Sequence, residues 1–134
     1  MSVTLTKHLG PWRPQLLSIL RIVTALLFLE HATAKLFGFP ASQMPAAEML
    51  SAFWWIGVIE LVGSLMLILG FQTRIAAFVL SGEMAVAYFV AIMPQSFFPL
   101  QNHGEGAILF CFIFLYIAAA GPGAWAIDSS RNGG

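Results

Sequence analysis

The chain has 134 residues, of which 59% are hydrophobic and 9% are charged, and its six basic residues balance its six acidic ones. Soluble domains carry about 25% charged residues, so this composition excludes an ordinary soluble domain and indicates an integral membrane protein. The zero net charge, without a basic run, excludes nucleic-acid binding, and the single cysteine, Cys111, excludes an intrachain disulfide or a dithiol redox pair.

The N-terminal lead, residues 1–14, is polar and precedes a first predicted membrane span over residues 15–37. Gly38 and Pro40 end that span, because glycine caps helices and proline cannot continue one. The lead and span also resemble a secretory signal peptide, but charged residues interrupt the apolar run and further apolar stretches follow. We therefore expect the segment to be retained as a transmembrane helix.

Three further apolar stretches follow the first span, and each has the length of a membrane-crossing helix, which is about 17–25 residues. The first two of them are separated only by Gln72-Thr73-Arg74, which predicts a tight helical hairpin. The segment 94–104 is rich in phenylalanine and proline, so we expect a loop that dips into the lipid headgroups. These further predicted spans cover residues 50–71, 75–93 and 104–120.

Four spans place both chain ends on the same side of the membrane. On the opposite side only Lys35 lies close to a span end. Since basic residues are enriched in cytoplasmic loops, we expect both termini in the cytoplasm. The sequence therefore predicts an all-α integral membrane four-helix bundle over residues 15–124, with a cytoplasmic tail at 125–134. The basic residues on the terminal side are Lys7, Arg13, Arg74 and Arg131.

Polar and charged side chains recur along the first span at alternating spacings of three and four residues, which places them on one face of a helix. A charge at the bilayer centre costs roughly 2.5–3.5 kcal/mol on insertion scales. We therefore expect the other helices to cover this face. Glu30 lies about a quarter-turn away from the face, which consists of Arg21, Thr24, Phe28, His31 and Lys35.

Depth along the helices, at about 1.5 Å per residue, predicts which buried charges can meet. Arg21, Glu60 and Glu83 are expected in one cluster in the inner half of the membrane. An Arg21–Glu83 ion pair that only fixes the helix order is the structural alternative there. The expected outer cluster consists of Glu30, His31, Lys35, His103 and Glu105.

The buried charges do not balance, because four carboxylates face only two permanently basic side chains. An unpaired buried carboxylate is costly, so at least one should be protonated, hydrated or bound to a cation or ligand. Glu60 lies at mid-membrane on a face of small residues, with Gly57 and Ser64, where helices approach closely. We therefore predict Glu60 and Glu83 as catalytic, proton-transferring groups. The predicted ligand-binding residues are Arg21, His31, Lys35 and Glu105.

Motifs that follow one another along residues 16–130 resemble those of the DoxX family of small membrane proteins. The run HATAKLFG at residues 31–38 resembles the family's HGxxKLxG motif. Residues 59–63 and 69–74 resemble its second-span motif and the turn that follows, and residues 104–128 contain its closing Gly-Glu, Gly-Pro-Gly and Asp elements.

This resemblance implies a four-helix bundle in the bacterial inner membrane and an association with oxidoreductases, since distant relatives are subunits of a thiosulfate:quinone oxidoreductase. It implies a subunit that binds a quinone-type or other small ligand at buried polar residues between its helices. Because the chain has no dithiol or flavin motif, we expect a protein partner that supplies electrons, or a homo-oligomer. The chain departs from the family at Ala32, where glycine is usual, and at Ala124, where a basic residue often follows Gly-Pro-Gly.

Three other function classes remain open at the level of the residues. In a scaffold or assembly subunit, the buried charges only lock the bundle, and the phenylalanine-rich loop docks a partner. A metal or haem site on His31 and His103 has weaker support, because Glu30 and His31 are adjacent and cannot share one helix face. We therefore predict no metal. A proton or ion transporter would need more than four spans for alternating access unless the protein dimerises.

Overall fold

The structure of the chain is a computed structural model that describes residues 2–42 and 45–132, except for the side chains at 131 and 132. Every regular element in these ranges is helical, which confirms the predicted all-α class. Short 3₁₀ or π turns extend the helices at 10–12 and 88–95. The α-helices are α1 (Ser2–Leu9), α2 (Arg13–Phe37), α3 (Ala52–Leu69), α4 (Thr73–Ala87), α5 (Pro99–Asn102), α6 (Glu105–Ala120) and α7 (Ile127–Asn132).

Four of these helices form a bundle in two closely packed pairs, α2 with α3 and α4 with α6. The short α3–α4 turn joins the pairs on one side, and a smaller contact between α2 and α6 joins them on the other. Aromatic rings make this second contact, because the centroid of Phe28 lies 5.2 Å from that of Phe110 and 5.1 Å from that of Phe114. The buried hydrophobic core consists of Ala25, Phe28, Leu67, Ala76, Ala77, Leu80, Met84, Phe114 and Ile117.

Three helical stretches in the described residues are long and apolar enough to cross a membrane, namely Ser2–Phe37, Ala52–Leu69 and Thr73–Gln95. The fourth helix of the bundle, α6, is apolar but has only 16 residues, which is about 24 Å of helix against a hydrocarbon core of about 30 Å. Large apolar side chains are exposed on the outer surface of all four helices. Soluble monomers rarely expose such a surface, so this belt fits a lipid environment.

The α2–α3 connection begins and ends at capped helix termini. Helix α2 ends at Phe37 because Gly38 adopts a left-handed conformation, with φ of 70°, and donates its N–H to Ala34 O at 3.1 Å. Helix α3 begins after Ser51, whose Oγ accepts the N–H of Trp54 at 3.2 Å. These caps fix where the last turn of α2 lies against α3.

Small residues allow α3 to approach both of its neighbours closely. A Cβ atom at Gly57 would lie 3.0 Å from Leu36 Cδ2 on α2, and one at Gly63 would lie 3.0 Å from the Leu80 methyl groups on α4. A side chain at either position would push these leucines aside, so the two glycines let the leucine side chains of the neighbouring helices pack directly onto the α3 backbone. The face of α3 that is buried in this way consists of Gly57, Glu60, Gly63, Ser64 and Leu67, and it directs Glu60 into the bundle.

Candidate buried charge site

Lys35 and Glu60 form an ion pair that joins the last turn of α2 to the middle of α3. Glu60 is completely buried, and Lys35 keeps 22% of its side chain exposed. The Lys35 ammonium also lies 5.1 Å from the centroid of the Phe53 ring, a cation–π contact. The close packing at Gly57 makes this pairing possible, because a Cβ there would already lie 3.3 Å from Lys35 Cβ.

Glu83 on α4 completes the group, because its carboxyl interacts with the Glu60 carboxyl and with the charge of Lys35. Glu60 Oε2 and both carboxylate oxygens of Glu83 are buried and accept no hydrogen bond from the described residues. Two ionised carboxylates cannot hydrogen-bond to each other, since neither has a donor. The Lys35–Glu60–Glu83 cluster therefore needs a donor, which a proton or the hydroxyl of a ligand can provide.

Arg21 does not belong to this cluster, so the expected inner grouping of Arg21 with Glu60 and Glu83 is wrong. Its guanidinium is fully buried and donates to Pro122 O through Nη1 and to Trp125 O through Nη2, the latter at 2.6 Å. Arg21 and Lys35 are 14 positions apart on α2, which is about 21 Å along a helix. The segment after α6 folds back over the start of α2 and supplies the carbonyls that Arg21 binds.

The expected outer cluster is also not assembled, because Lys35 turns toward Glu60. His31 instead lies against aromatic rings, with its centroid 6.0 Å from that of Phe28 and 5.7 Å from that of Phe110. Its Nδ1 lies 3.1 Å from Leu27 O, one turn earlier on α2. Glu30, His31, His103 and Glu105 are all exposed on the bundle surface. Within residues 2–42 and 45–132, no group of three His, Cys, Asp or Glu side chains is placed to hold a metal ion.

The predicted site residues thus occupy separate places. Lys35, Glu60 and Glu83 come together on three helices, while Arg21, His31 and Glu105 each lie elsewhere. The catalytic role of Glu60 and Glu83 and the ligand-binding role of the other four residues stay predictions.

A residue that the sequence did not single out for its contacts, Asp128, binds the start of α4. Its carboxylate accepts the N–H groups of Gln72, at 2.9 Å, and Thr73, at 2.8 Å. Its own N–H donates to Gly70 O at 2.9 Å. Since the first N–H groups of a helix lack partners within it, Asp128 acts as a cap supplied from a distant segment.

The same segment binds the start of α2 through Ser18. The buried Ser18 Oγ donates to Pro122 O at 3.2 Å and accepts the N–H of Trp125 at 2.9 Å. The N–H of Ala124 donates to Pro14 O at 3.1 Å. We call residues 121–130 the C-terminal clasp, because they connect α2, the α3–α4 turn and the end of α6.

Comparison with known proteins shows the family of the chain. The sequence profile of the DoxX family matches residues 16–93, more than half of the chain. The chain belongs to the DoxX family. A Haemophilus influenzae relative named "Uncharacterized protein" is 46% identical over 127 residues, which cover 91% of this chain and 95% of the relative. No solved structure matches the chain.

In this DoxX protein, the matched region contains most of α2 and all of α3 and α4, and therefore every member of the Lys35–Glu60–Glu83 cluster. The C-terminal clasp lies after it. A signal for the clasp is nevertheless present in the sequence, because Asp128 follows Gly121-Pro122-Gly123 and Gln72-Thr73 offers no acidic cap of its own.

Proposed function

We propose that this DoxX protein is a non-autonomous subunit of an oxidoreductase system in the bacterial inner membrane. In this proposal the Lys35–Glu60–Glu83 cluster binds the headgroup of a quinone-type ligand. The observation that supports it most is the set of three buried carboxylate oxygens without a donor, held beside a lysine between three helices. Buried polar groups inside membrane helices generally mark a ligand or proton pathway.

The donors and acceptors of the cluster can bind both the oxidised and the reduced form of a quinone headgroup. Lys35 can donate a hydrogen bond to a headgroup oxygen, and the carboxylates of Glu60 and Glu83 can accept the hydroxyl groups of a reduced headgroup. A bound quinone would take up two electrons and two protons on reduction to the quinol. A partner subunit would supply the electrons, because the chain has one cysteine and no dithiol, and Glu60 and Glu83 would relay the protons to the headgroup.

The proposal includes four membrane crossings with both termini in the cytoplasm. Helix α6 supports a fourth crossing, because it packs against α4 as closely as α2 packs against α3. Phe97 and Phe98 are exposed just before α5, which leads into α6, and they can extend its short apolar length into the membrane interface. Reporter fusions to the C-terminus test the topology. A fluorescent-protein fusion should fluoresce, and activity of a phosphatase fusion, which requires a periplasmic C-terminus, would contradict the proposal.

The ligand is tested by purifying the protein in a mild detergent, extracting small molecules and assaying them for quinones. Quenching of tryptophan fluorescence by a soluble quinone analogue gives a second measurement, since Trp54 lies in the first turn of α3. Glu60→Gln and Glu83→Gln should each weaken the quenching, whereas Glu48→Gln, an exposed loop residue, should not. If no quinone is extracted and the folded wild type shows no saturable quenching, the ligand proposal is wrong.

A non-enzymatic scaffold is the second candidate, and the direct Lys35–Glu60 pairing favours it. In that role the cluster only ties α2, α3 and α4 together. Replacing all three side chains by methionine would then preserve partner assembly, because well-packed apolar residues often replace a buried ion pair without loss. Under the ligand-binding proposal, the same variant folds but loses quinone retention.

A further inference from the structure

A groove of about 820 Å³ opens at the end of the bundle where α2 begins and α6 ends. Its charged side chains are Arg13, at the start of α2, and Arg74, near the start of α4. Its apolar wall includes Leu16 and Leu20 of α2 and the ring of Tyr116 of α6. None of the described residues that line the groove is acidic, so its rim is basic.

The two arginines are available to an external anion. Neither Arg13 nor Arg74 forms an ion pair within 4 Å with a described side chain. Arg74 Nη1 donates to Ala118 O and Ala119 O at the C-terminal end of α6, which holds the guanidinium beside the groove. Both arginine residues are exposed.

Along the axis of α2, the groove changes from charged to apolar, as a membrane lipid does from headgroup to acyl chain. Arg13 lies at the helix end, Leu16 lies about one turn deeper, and Leu20 lies about two turns deeper. The exposed indoles of Trp12 and Trp125 lie at the same end, as expected for the level of the headgroups. A charged rim above an apolar wall suits a molecule with an anionic headgroup and an acyl chain, whereas a soluble anion would gain nothing from the wall.

We propose that this groove binds an anionic phospholipid. Arg13 and Arg74 contact the phosphate, and an acyl chain lies along Leu16, Leu20 and Tyr116. Basic clefts between membrane helices select anionic headgroups in this way, because each basic residue adds attraction and a zwitterionic headgroup cancels part of it. This lipid site is separate from the Lys35–Glu60–Glu83 cluster, so either proposal can fail without the other.

The test titrates delipidated protein with phosphatidylglycerol or phosphatidylcholine of the same acyl chains and counts bound lipid by native mass spectrometry. Phosphatidylglycerol should bind more tightly. Arg13→Gln and Arg74→Gln should each weaken it roughly fivefold, and the double variant on the order of 25-fold, from the attraction expected per basic residue. Lys7→Gln, an exposed lysine on α1 outside the groove lining, is the matched control and should bind as wild type.

Two further measurements separate the outcomes. Because Arg74 also binds the end of α6, Arg13→Gln is the decisive single variant if Arg74→Gln unfolds. Leu16→Ser with Leu20→Ser should weaken binding of the lipid, and inorganic phosphate at equal concentration should not displace it. Equal affinity for the two lipids, an unchanged Arg13→Gln variant, or full displacement by phosphate would each overturn the proposal.

Discussion

Lys35 and Glu60 pair between α2 and α3, although the lysine lies in the last turn of its helix and the glutamate lies at the middle of its own. The pairing brings the only basic member of the cluster to one of two neighbouring carboxyls, since Glu83 also faces Glu60. One positive charge thus serves two acidic groups.

Lys35→Met should destabilise the protein by about 3–5 kcal/mol, because removing one partner leaves the other as an uncompensated buried charge. Adding Glu60→Gln to Lys35→Met should recover part of that loss, so the two effects should not add. Denaturant unfolding in detergent, monitored by tryptophan fluorescence, measures both. Lys7→Met on the exposed α1 is the matched control, and a Lys35→Met effect no larger than its own would contradict the pairing.

Glu60 and Glu83 should share a proton when no ligand is bound, because their facing oxygens have no other donor among the described residues. Infrared difference spectra should show the C=O stretch of a protonated carboxyl that disappears in Glu83→Gln and shifts in Glu60→Gln. The exposed Glu105 provides the control, since Glu105→Gln should leave the band unchanged. If the band is absent from the wild type at pH 5, the two groups do not share a proton.

The sequence predicted the helical membrane class and the residues of the cluster, but it did not predict which charges meet. Periodicity places Arg21 and Lys35 on one face of α2, and it carries no information on the partner that each one finds. Lys35 reaches Glu60 because Gly57 lets the side chains of Leu36 and Lys35 pack onto the α3 backbone, and periodicity does not predict such packing. Arg21 binds carbonyls about 100 positions away at Pro122 and Trp125, and backbone acceptors leave no trace in side-chain composition.

The connection before α6 is a second place where the structure differs from the sequence-based expectation. Its composition predicts an interfacial loop, but the structure shows a short helix, α5, whose last residue, Asn102, is buried. Asn102 donates to Ser96 O at 2.8 Å and accepts the N–H of Gly104 at 2.7 Å. A single asparagine in a loop is common, so only the folded geometry shows that this one organises the turn into α6.

Asp128→Ala should destabilise α4 locally, because it removes the acceptor for two N–H groups at the start of that helix. Loss of such a cap costs about 0.5–2 kcal/mol. Hydrogen exchange should therefore accelerate at the amides of Gln72 and Thr73, with less change in the middle of α3. Asp128→Asn keeps one acceptor oxygen and should show a smaller increase, whereas equal exchange in all three proteins would rule out the cap.

Gly123→Ala should displace the C-terminal clasp from the start of α2. A Cβ atom at Gly123 would lie 2.8 Å from the backbone nitrogen of Ser18 and 2.5 Å from Pro14 O, and the residue has φ of 85°, which a side chain disfavours. Overpacking of this kind costs about 1–3 kcal/mol, and it should separate Trp125 from Ser18. Limited proteolysis after α6 should then become faster, together with a lower unfolding temperature. Gly106→Ala is the matched control, because a Cβ there meets nothing within 4 Å; equal protease resistance of the two variants would show that the clasp is not held by this contact.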